Sequence, residues 1–309
     1  MLWTARAVSV LGDSLGLVAL LVHLQAEAGA AIAVALLLLA GDCVPGLFGP
    51  VAGLISDRFG LRRVMIACEV VQGLLVLATA VALPPLPILL ILVAARGIGA
   101  TTFIAASRSA VPRMVDDDDL EAANSALGVG TYGLEALGPL IAAALFTSSG
   151  IRGVLLVDVA TFAVSAVVLA RLPLLGYLLL GRVGGRWPAL GLLLVGFVVS
   201  SAGNLVTGLA GSIAAAMVLQ TLRGAGIAAL DVGVNTHLQR IVPPAVLGQA
   251  FGTLYGAIGL AAGLSYALGG LLLAATDARI TFVVAGAGGL LVSAAAAVAL
   301  RRAARRTCR

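Results

Sequence analysis

The sequence predicts an all-α polytopic membrane protein of about ten transmembrane helices in two pseudo-repeated bundles. Three observations carry that prediction. Apolar residues make up 61% of the 309-residue chain and charged residues only 11%, with a mean hydropathy of +1.13. That is too apolar for a soluble domain of this size. The apolar residues fall into runs of about 20 or more, each enough to cross ~30 Å of hydrocarbon. Finally, all 19 basic residues are arginine, and nearly all lie between alternate runs, as retention of positive charge on one side of a membrane requires.

Ten spans follow in order: 5–26, 31–55, 63–83, 86–108, 121–147, 152–171, 188–208, 210–234, 246–275 and 279–300. The first carries Arg6 ahead of an apolar run and ends near Ala26-Glu27-Ala28, a faint likeness to a signal peptide. Asp13 interrupts the apolar region and more spans follow, so the run reads as a membrane helix. Pro84, Pro85 and Pro87 mark the turn between the third and fourth spans, and Gly150 separates the fifth from the sixth. With the N-terminus inside, the cytoplasmic segments hold Arg6, Arg58, Arg62, Arg63, Arg108, Arg113, Arg171, Arg182, Arg186, Arg240 and the tail from Arg301 to Arg309. The outer loops hold only Arg152 and Arg279. Both termini are therefore expected in the cytoplasm, with the protein in the cytoplasmic (inner or plasma) membrane. The net charge of +5 and pI near 9.7 reflect this topology and point to a lipid bilayer, with no nucleic-acid partner.

The stretch GLISDRFGLRRVM, residues 53–65, joins the second and third spans. So short a basic turn between two membrane helices makes a hairpin. Gly60 permits the bend, and Gly53 lets a neighbouring helix come close. Asp57 falls at a helix end, where the negative end of the dipole disfavours an acid. A cationic partner is expected for it among Arg58, Arg62 and Arg63. This stretch resembles the loop between helices two and three of the major facilitator superfamily, G-x-L-x-D-R-x-G-R-R, with Gly53, Asp57, Arg58, Gly60, Arg62 and Arg63 in place and Leu61 departing from it. The resemblance implies two six-helix bundles rocking about a central cavity, with this turn latching the inner face.

An internal repeat agrees with that resemblance. ARGIGA at 95–100 matches LRGAGI at 222–227, and the Val-Pro pair at 111–112 matches that at 242–243. GLISDRFGLRR is echoed by GYLLLGRVGGR at 176–186, all at offsets of 123 to 131 residues. The family arrangement puts two helices before the basic loop in each half, but here the second half has only LPLLGYLLLG, 172–181. The equivalents of helix seven and most of helix eight are missing. The expected domains are 1–171, an N-terminal six-helix bundle; 172–187, a cytoplasmic connector with a short apolar remnant; and 188–309, an incomplete C-terminal four-helix bundle with a basic tail.

Charged residues inside spans are costly and ask for a reason. Asp13, Asp42, Arg96, Glu135 and Arg223 lie well inside theirs; Asp158, Glu69 and Asp231 lie nearer the ends. Arg96 begins R-G-I-G-A and resembles the arginine of the family's fourth-helix motif, which implies proton coupling. If the first and fourth helices face one cavity, Arg96 pairs with Asp13, either as a proton-sensitive pair or as a structural one. Arg223, its repeat counterpart, reads as structural. Gly133, Gly138 and Pro139 resemble the fifth-helix antiporter motif, with Ala142 and Ala143 replacing its last glycines. Pro139 is expected to kink or weaken that helix, and the small residues to allow close packing between the bundles. Glu135 reads either as a protonatable cavity residue or as a buried neutral acid. Asp116 to Asp119 lack the spacing and glycine of a calcium loop, and are expected to cap the fifth span.

No catalytic residue, metal site or cofactor is predicted. Cys43, Cys68 and Cys308 form no C-x-x-C pair and His23 and His237 stand alone. No nucleophile–base set or phosphate loop is present, so the chain is not expected to be an enzyme. VPRMVDDDDLEAANSALG and LGDS at 11–14 resemble exporters of the macrolide-efflux and enterobactin-exporter group. That resemblance implies a secondary transporter expelling amphipathic small molecules (drug, macrolide or siderophore-like) in exchange for protons, with protons and a small-molecule substrate as its partners. The alternative, carried by the missing helix pair, is a facilitator-fold remnant or partner-binding subunit that does not transport. Oligomeric state is not legible.

The arginine asymmetry makes a direct prediction. Single cysteines at Ser148 and Asp277 will react with an impermeant thiol reagent applied outside, and one at Arg186 will not. External labelling at Arg186 overturns the topology.

Overall fold

The computed structural model describes residues 2–25, 30–171 and 189–307; the connector expected at 172–187 falls outside them. Among the described residues all regular structure is helical. The helices are α1 (Leu2–Gln25), α2 (Ala30–Leu38), α3 (Val44–Leu47), α4 (Gly49–Arg58), α5 (Leu61–Ala82), α6 (Leu86–Ala110), α7 (Leu120–Ala170), α8 (Ala189–Gly208), α9 (Ile213–Ile241), α10 (Leu247–Ala275) and α11 (Ala278–Thr307). Eight helices are long and apolar enough to span a bilayer. The segment from α2 to α4 makes a further span bent by 55°. With 51 residues, α7 would be about 76 Å long if straight, too long for one crossing. Gly150 breaks it with φ 63° and ψ −174°. Counting α7 as two, the described helices supply the ten expected spans. Pro139 sits inside α7, and the non-helical backbone is at Gly150 rather than there.

The bend in the second span falls at Phe48, between Leu47 and Gly49, where Pro50 has no N–H to donate and its ring crowds the carbonyl four residues back. Upstream, ahead of Pro45, the helix widens into a π-helical turn over Leu39–Cys43, a feature common at functional sites. Asp42 lies in that turn.

The chain divides into two compact units. The first is Met1–Val183 with Leu238–Ala267. Within it α1 packs along α7, and α5 packs on α6 and α7. One buried cluster gathers Leu2, Leu61, Met65, Phe103 and Leu169 at the arginine-rich end. A second gathers Leu20, Leu37, Val76, Val93 and Phe162 towards the other. Also in this unit, α4 meets α10 through glycine. A Cβ at Gly53 would fall on Gln249 Cα, and one at Gly256 on Gly46 O and Gly49 Cα. Lipid tails are as apolar as leucine, so helices in a bilayer gain most by letting backbones touch.

The second unit is Gly184–His237 with Leu268–Arg309. In it α8 is the central packing element. Gly196 and Gly226 bring it against α9, and Gly208 and Gly286 bring it against α11.

The α4–α10 seam predicts an asymmetric response to substitution. A Cβ at Gly252 would meet Gly53 N at 2.7 Å and Gly53 Cα at 2.8 Å, and backbone cannot step aside as a flexible side chain can. Gly252→Val should lose about 1–3 kcal/mol, read as a lower melting point of the detergent-solubilised chain. Gly133 has nothing within 4 Å of an added Cβ, so Gly133→Ala should stay within about 0.5 kcal/mol. Equal loss in both would refute the seam.

Candidate functional site

A cavity of about 330 Å³ in the first unit is lined by residues of α1, α5, α6 and α7 and by the π-turn. Asp13, Asp42, Arg96 and Glu135 all line it, which brings together the four charged residues singled out from the sequence. Each reaches it from a different element. Asp13 is on α1, Asp42 on the widened turn, Arg96 on α6 and Glu135 on α7.

Arg96 Nη1 donates to Asp13 Oδ1 in an ion pair, the contact expected if the first and fourth spans share a cavity. The two side chains keep 21% and 30% of their exposure, so the pair is reachable from the cavity. Gly97, beside Arg96, lets α6 lie close to Pro45 and the Gly41 carbonyl, which holds Arg96 and Asp42 at neighbouring levels. Asp42 Oδ2 accepts from the Tyr266 hydroxyl of α10 at 2.7 Å. Glu135 is exposed. Its backbone carbonyl accepts from Ser14 Oγ of α1 at 3.2 Å. Arg6 also lines the cavity, and donates to Thr131 Oγ1 at 3.0 Å and Ser107 Oγ at 2.8 Å. Three acids thus face two arginines, an excess of acid that favours uptake of a proton or a cation.

Gly138 does not serve the role expected of it between bundles. A Cβ there would land on the side chain of Ser14, so it admits α1 against α7 within the first unit. Gly133 faces open space. Arg223 donates to Gln220 Oε1 at 3.2 Å within α9.

Two acids that looked peripheral in the sequence are the most deeply enclosed. Glu69 and Asp158 keep 0% and 1% of their exposure. Gly12 and Gly16 flank Asp13 on α1, and their missing side chains make the space that the Asp158 carboxylate fills. The G-x-x-x-G spacing around Asp13 was the sequence signal for that contact.

The arginine-rich end of α4 is held differently from expectation. Among the described residues Asp57 does not take an arginine as partner. Its Oδ1 accepts from Gly248 N at 2.7 Å and its Oδ2 from Gln249 N at 2.8 Å. These are orphan donors at the start of α10, where the positive end of the helix dipole favours a carboxylate. Such a cap is worth about 0.5–2 kcal/mol. Arg62 instead donates to the Leu169 and Ala170 carbonyls that end α7, the complementary placement of a cation at a helix C-terminus. Arg58 and Arg63 are exposed.

A second lock, not foreseen from the sequence, joins α7 to the end of α9. Arg240 grips Glu121 with two bonds of 2.6 and 2.8 Å and also donates to the Asp117 carbonyl at 2.9 Å. Beneath it Asn124 donates to Gln239 Oε1 at 2.6 Å, and Gln239 donates to the Arg108 carbonyl at 2.9 Å. The expected capping of α7 by Asp118 or Asp119 is not what the structure shows: Asp119 holds the cap position and makes no side-chain cap bond. The run lends a carbonyl to Arg240 instead.

With this geometry in hand, the comparisons with known proteins are specific about family. The sequence profile of the Major Facilitator Superfamily matches residues 2–174. Macrolide efflux protein A of Streptococcus pyogenes is 24% identical over 185 residues, covering 57% of this chain and 45% of the relative. The same holds for macrolide efflux protein A of the serotype M6 strain. The chain thus spans about half the length of the curated relatives it matches. Among solved structures, the human organic anion transporter MFSD10 superposes with a TM-score of 0.73 at 14% identity, covering 94% of this chain and 97% of that one. A bacterial homologue of the iron transporter ferroportin, in its outward-facing state, gives 0.67 at 16%, covering 94% and 96%. The proton:xylose symporter XylE gives 0.71 at 13%, covering 94% of each chain. These structural likenesses concern the fold. The profile match covers more than half of the sequence, and the chain is a multi-pass membrane protein that belongs to the Major Facilitator Superfamily.

Proposed function

We propose that this chain is a secondary transporter of the cytoplasmic membrane, exporting amphipathic small molecules by proton antiport and alternating access, with both termini in the cytoplasm. The observation that carries the reading is the Arg96–Asp13 pair inside a cavity that Asp42 and Glu135 also line. Neighbouring acids and an arginine at membrane depth mark ion and substrate pathways. Burial disfavours the charge of an acid and an arginine favours it, so a carboxylate under both influences can load and release a proton as its surroundings change. The excess of acid suits a cargo that is cationic or neutral, and the efflux-protein relative supports export as the direction. Domains 1–171 and 188–309 act as the two rocking bundles in this reading, joined by the connector 172–187. Asp57 on the α10 N-terminus, with Gly53, Arg58, Gly60, Arg62 and Arg63 around it, serves as the inner latch, closed while the cavity faces out. Gly133, Gly138 and Pro139 keep α7 slim where it passes the cavity.

A second reading is favoured by a separate observation. In the most apolar window of α1 44% of residues are buried, and in that of α5 50%. In α9, α10 and α11 the values are 6%, 6% and 11%. Helices so thinly covered, in a chain lacking one helix pair of its family, suit a subunit that packs against a partner. Native mass spectrometry from nanodiscs separates the two: the transporter reading expects a single chain with vectorial activity, and the subunit reading a stable complex without it.

The latch is tested by Asp57→Asn. The change keeps volume and removes the charge that faces the α10 N-terminus. Dye or antibiotic export at matched expression should fall while membrane insertion is unaffected, and unchanged export sinks the latch role.

Coupling is tested by Asp13→Asn and Glu135→Gln. Each should abolish substrate-induced proton release from proteoliposomes, read with a pH dye, while the purified variant still binds substrate. A purely structural role for Asp13 gives another outcome, poor folding, because the Arg96 charge at the cavity wall would be left without its acid. Well-folded variants that still release protons remove both acids from the coupling mechanism.

A further inference from the structure

A second cavity, of about 490 Å³, lies at the arginine-rich ends of α1, α5 and α6. It shares no lining residue with the central cavity. Its wall is of two kinds. Leu2, Leu61, Met65, Ile66, Ala110 and Met114 make it apolar. Among the described residues that line it, Arg62, Arg63 and Arg113 are the charged ones, with no acid beside them. All three arginines are exposed. The cavity sits where three membrane helices begin or end, at Leu2, Leu61 and Ala110, which is the depth of lipid headgroups. Phe59, 58% exposed, stands next to it in sequence at the turn, as aromatic residues do at that depth.

We propose that this cavity binds an anionic phospholipid, one acyl chain against the apolar wall and its phosphate on Arg63 and Arg113. The charge complementarity of the described lining is one-sided, three cations and no anion, and arginine matches phosphate oxygens with paired donors. Basic pockets between membrane helices on the cytoplasmic side are headgroup sites on general electrostatic grounds. A free anion would leave the six apolar wall residues unused, and a zwitterionic lipid would bring a cation to a site that already has three. The occupant also has a mechanical consequence. Arg62 already holds the end of α7 through the Leu169 and Ala170 carbonyls, and Arg63 is on the same turn as Asp57. A phosphate drawn to Arg63 pins the turn from its other side and keeps Asp57 on the α10 N-terminus.

The site is tested on the purified full chain, by native mass spectrometry of retained lipid and by thermal melting. Phosphatidylglycerol should be retained over phosphatidylcholine at one lipid per chain and should raise the melting point. Arg63→Gln and Arg113→Gln should each weaken phosphatidylglycerol retention by about tenfold, the loss of one charge-assisted contact, while Arg63→Lys, which keeps the charge but not the paired donors, should weaken it less. Ile66→Trp, which fills the apolar part and leaves every charge in place, should also abolish retention, with Met114→Trp as the parallel variant should the first not fold. Glycerol 1-phosphate should not compete. The proposal is overturned by equal retention of the two lipids, by arginine variants that behave as wild type, or by a Trp variant that still holds phosphatidylglycerol. It is overturned equally by competition from glycerol 1-phosphate, which would make the site one for a free anion. Retention of neither lipid, together with loss of folding in both Trp variants, would show the space to be filled by the chain itself. The binding readout needs no transport, so it stands or falls separately from the exporter reading.

Discussion

Backbone-to-backbone contact between α4 and α10 is the constraint on which the arginine-rich end of the first unit depends. In water two apolar helices associate to shed solvent; in a bilayer that drive is absent. What remains is dispersion between close surfaces and hydrogen bonds that lipid cannot make. Gly49 and Gly53 on one helix, and Gly248, Gly252 and Gly256 on the other, remove the side chains that would hold the axes apart. The close approach then delivers the first N–H groups of α10 to the Asp57 carboxylate. The cap is a consequence of the seam: an ångström of extra separation would turn two bonds of 2.7 and 2.8 Å into none. At about 0.5–2 kcal/mol, the cap shifts a two-state equilibrium by roughly 2- to 30-fold. An interaction of that size holds one state and can still be reversed by substrate or proton binding elsewhere.

Charge at membrane depth is handled by the same economy of contact. Arg96 meets Asp13 directly, and Gly12 and Gly16 on either side of Asp13 open a notch that Asp158 fills. One short piece of α1 therefore presents an acid to the cavity and seats a second acid behind it. An ion pair buried in hydrocarbon repays its desolvation only with good geometry. The pair here sits at the wall of a cavity and keeps part of its exposure, so water moderates the desolvation that a sealed pair would suffer.

The topology was legible because it is written in quantities that are local to each segment. Apolar run length and proline and glycine at turns each need only a few neighbouring residues, and the helices emerged close to the expected bounds of the spans. The Asp13–Arg96 contact was legible through the family resemblance. The partners of the latch were not, because they are backbone groups. Asp57 finds its donors 191 and 192 residues away, at a helix start whose N–H groups no residue type announces. The nearby arginines were a misleading local solution; Arg62 is spent on the carbonyls of α7. Tyr266 and Asp42 are 224 residues apart, and nothing in either neighbourhood marks the pairing. The aspartate run misled for the opposite reason. Its composition fits a cap, but the 3₁₀ turn over Asp117–Asp119 turns a carbonyl towards Arg240 and leaves the carboxylates out of the helix start.

The second unit poses its physical question at Arg223. Around it, polar groups largely satisfy one another: Gln220 Nε2 reaches Thr207 Oγ1 at 3.1 Å, and Gln220 Oε1 accepts from Arg223. These are neutral partners: they meet only part of the hydrogen-bonding needs, leaving Arg223 Nε buried without a bond among the described residues, and they do not neutralise a guanidinium that cannot shed its proton. Arg96, its repeat counterpart, has an acid across from it; among the described residues Arg223 has an amide. A lone cation at membrane depth is tolerable only where water, an anion or another chain reaches it. Gly203 brings α8 to within contact of the Arg223 stem, so the head group is directed rather than loosely placed. The two readings of this chain therefore diverge most sharply at this residue. A transporter meets the charge with the water and cargo of its pathway, and a partner-bound subunit meets it with an acid from the neighbouring chain.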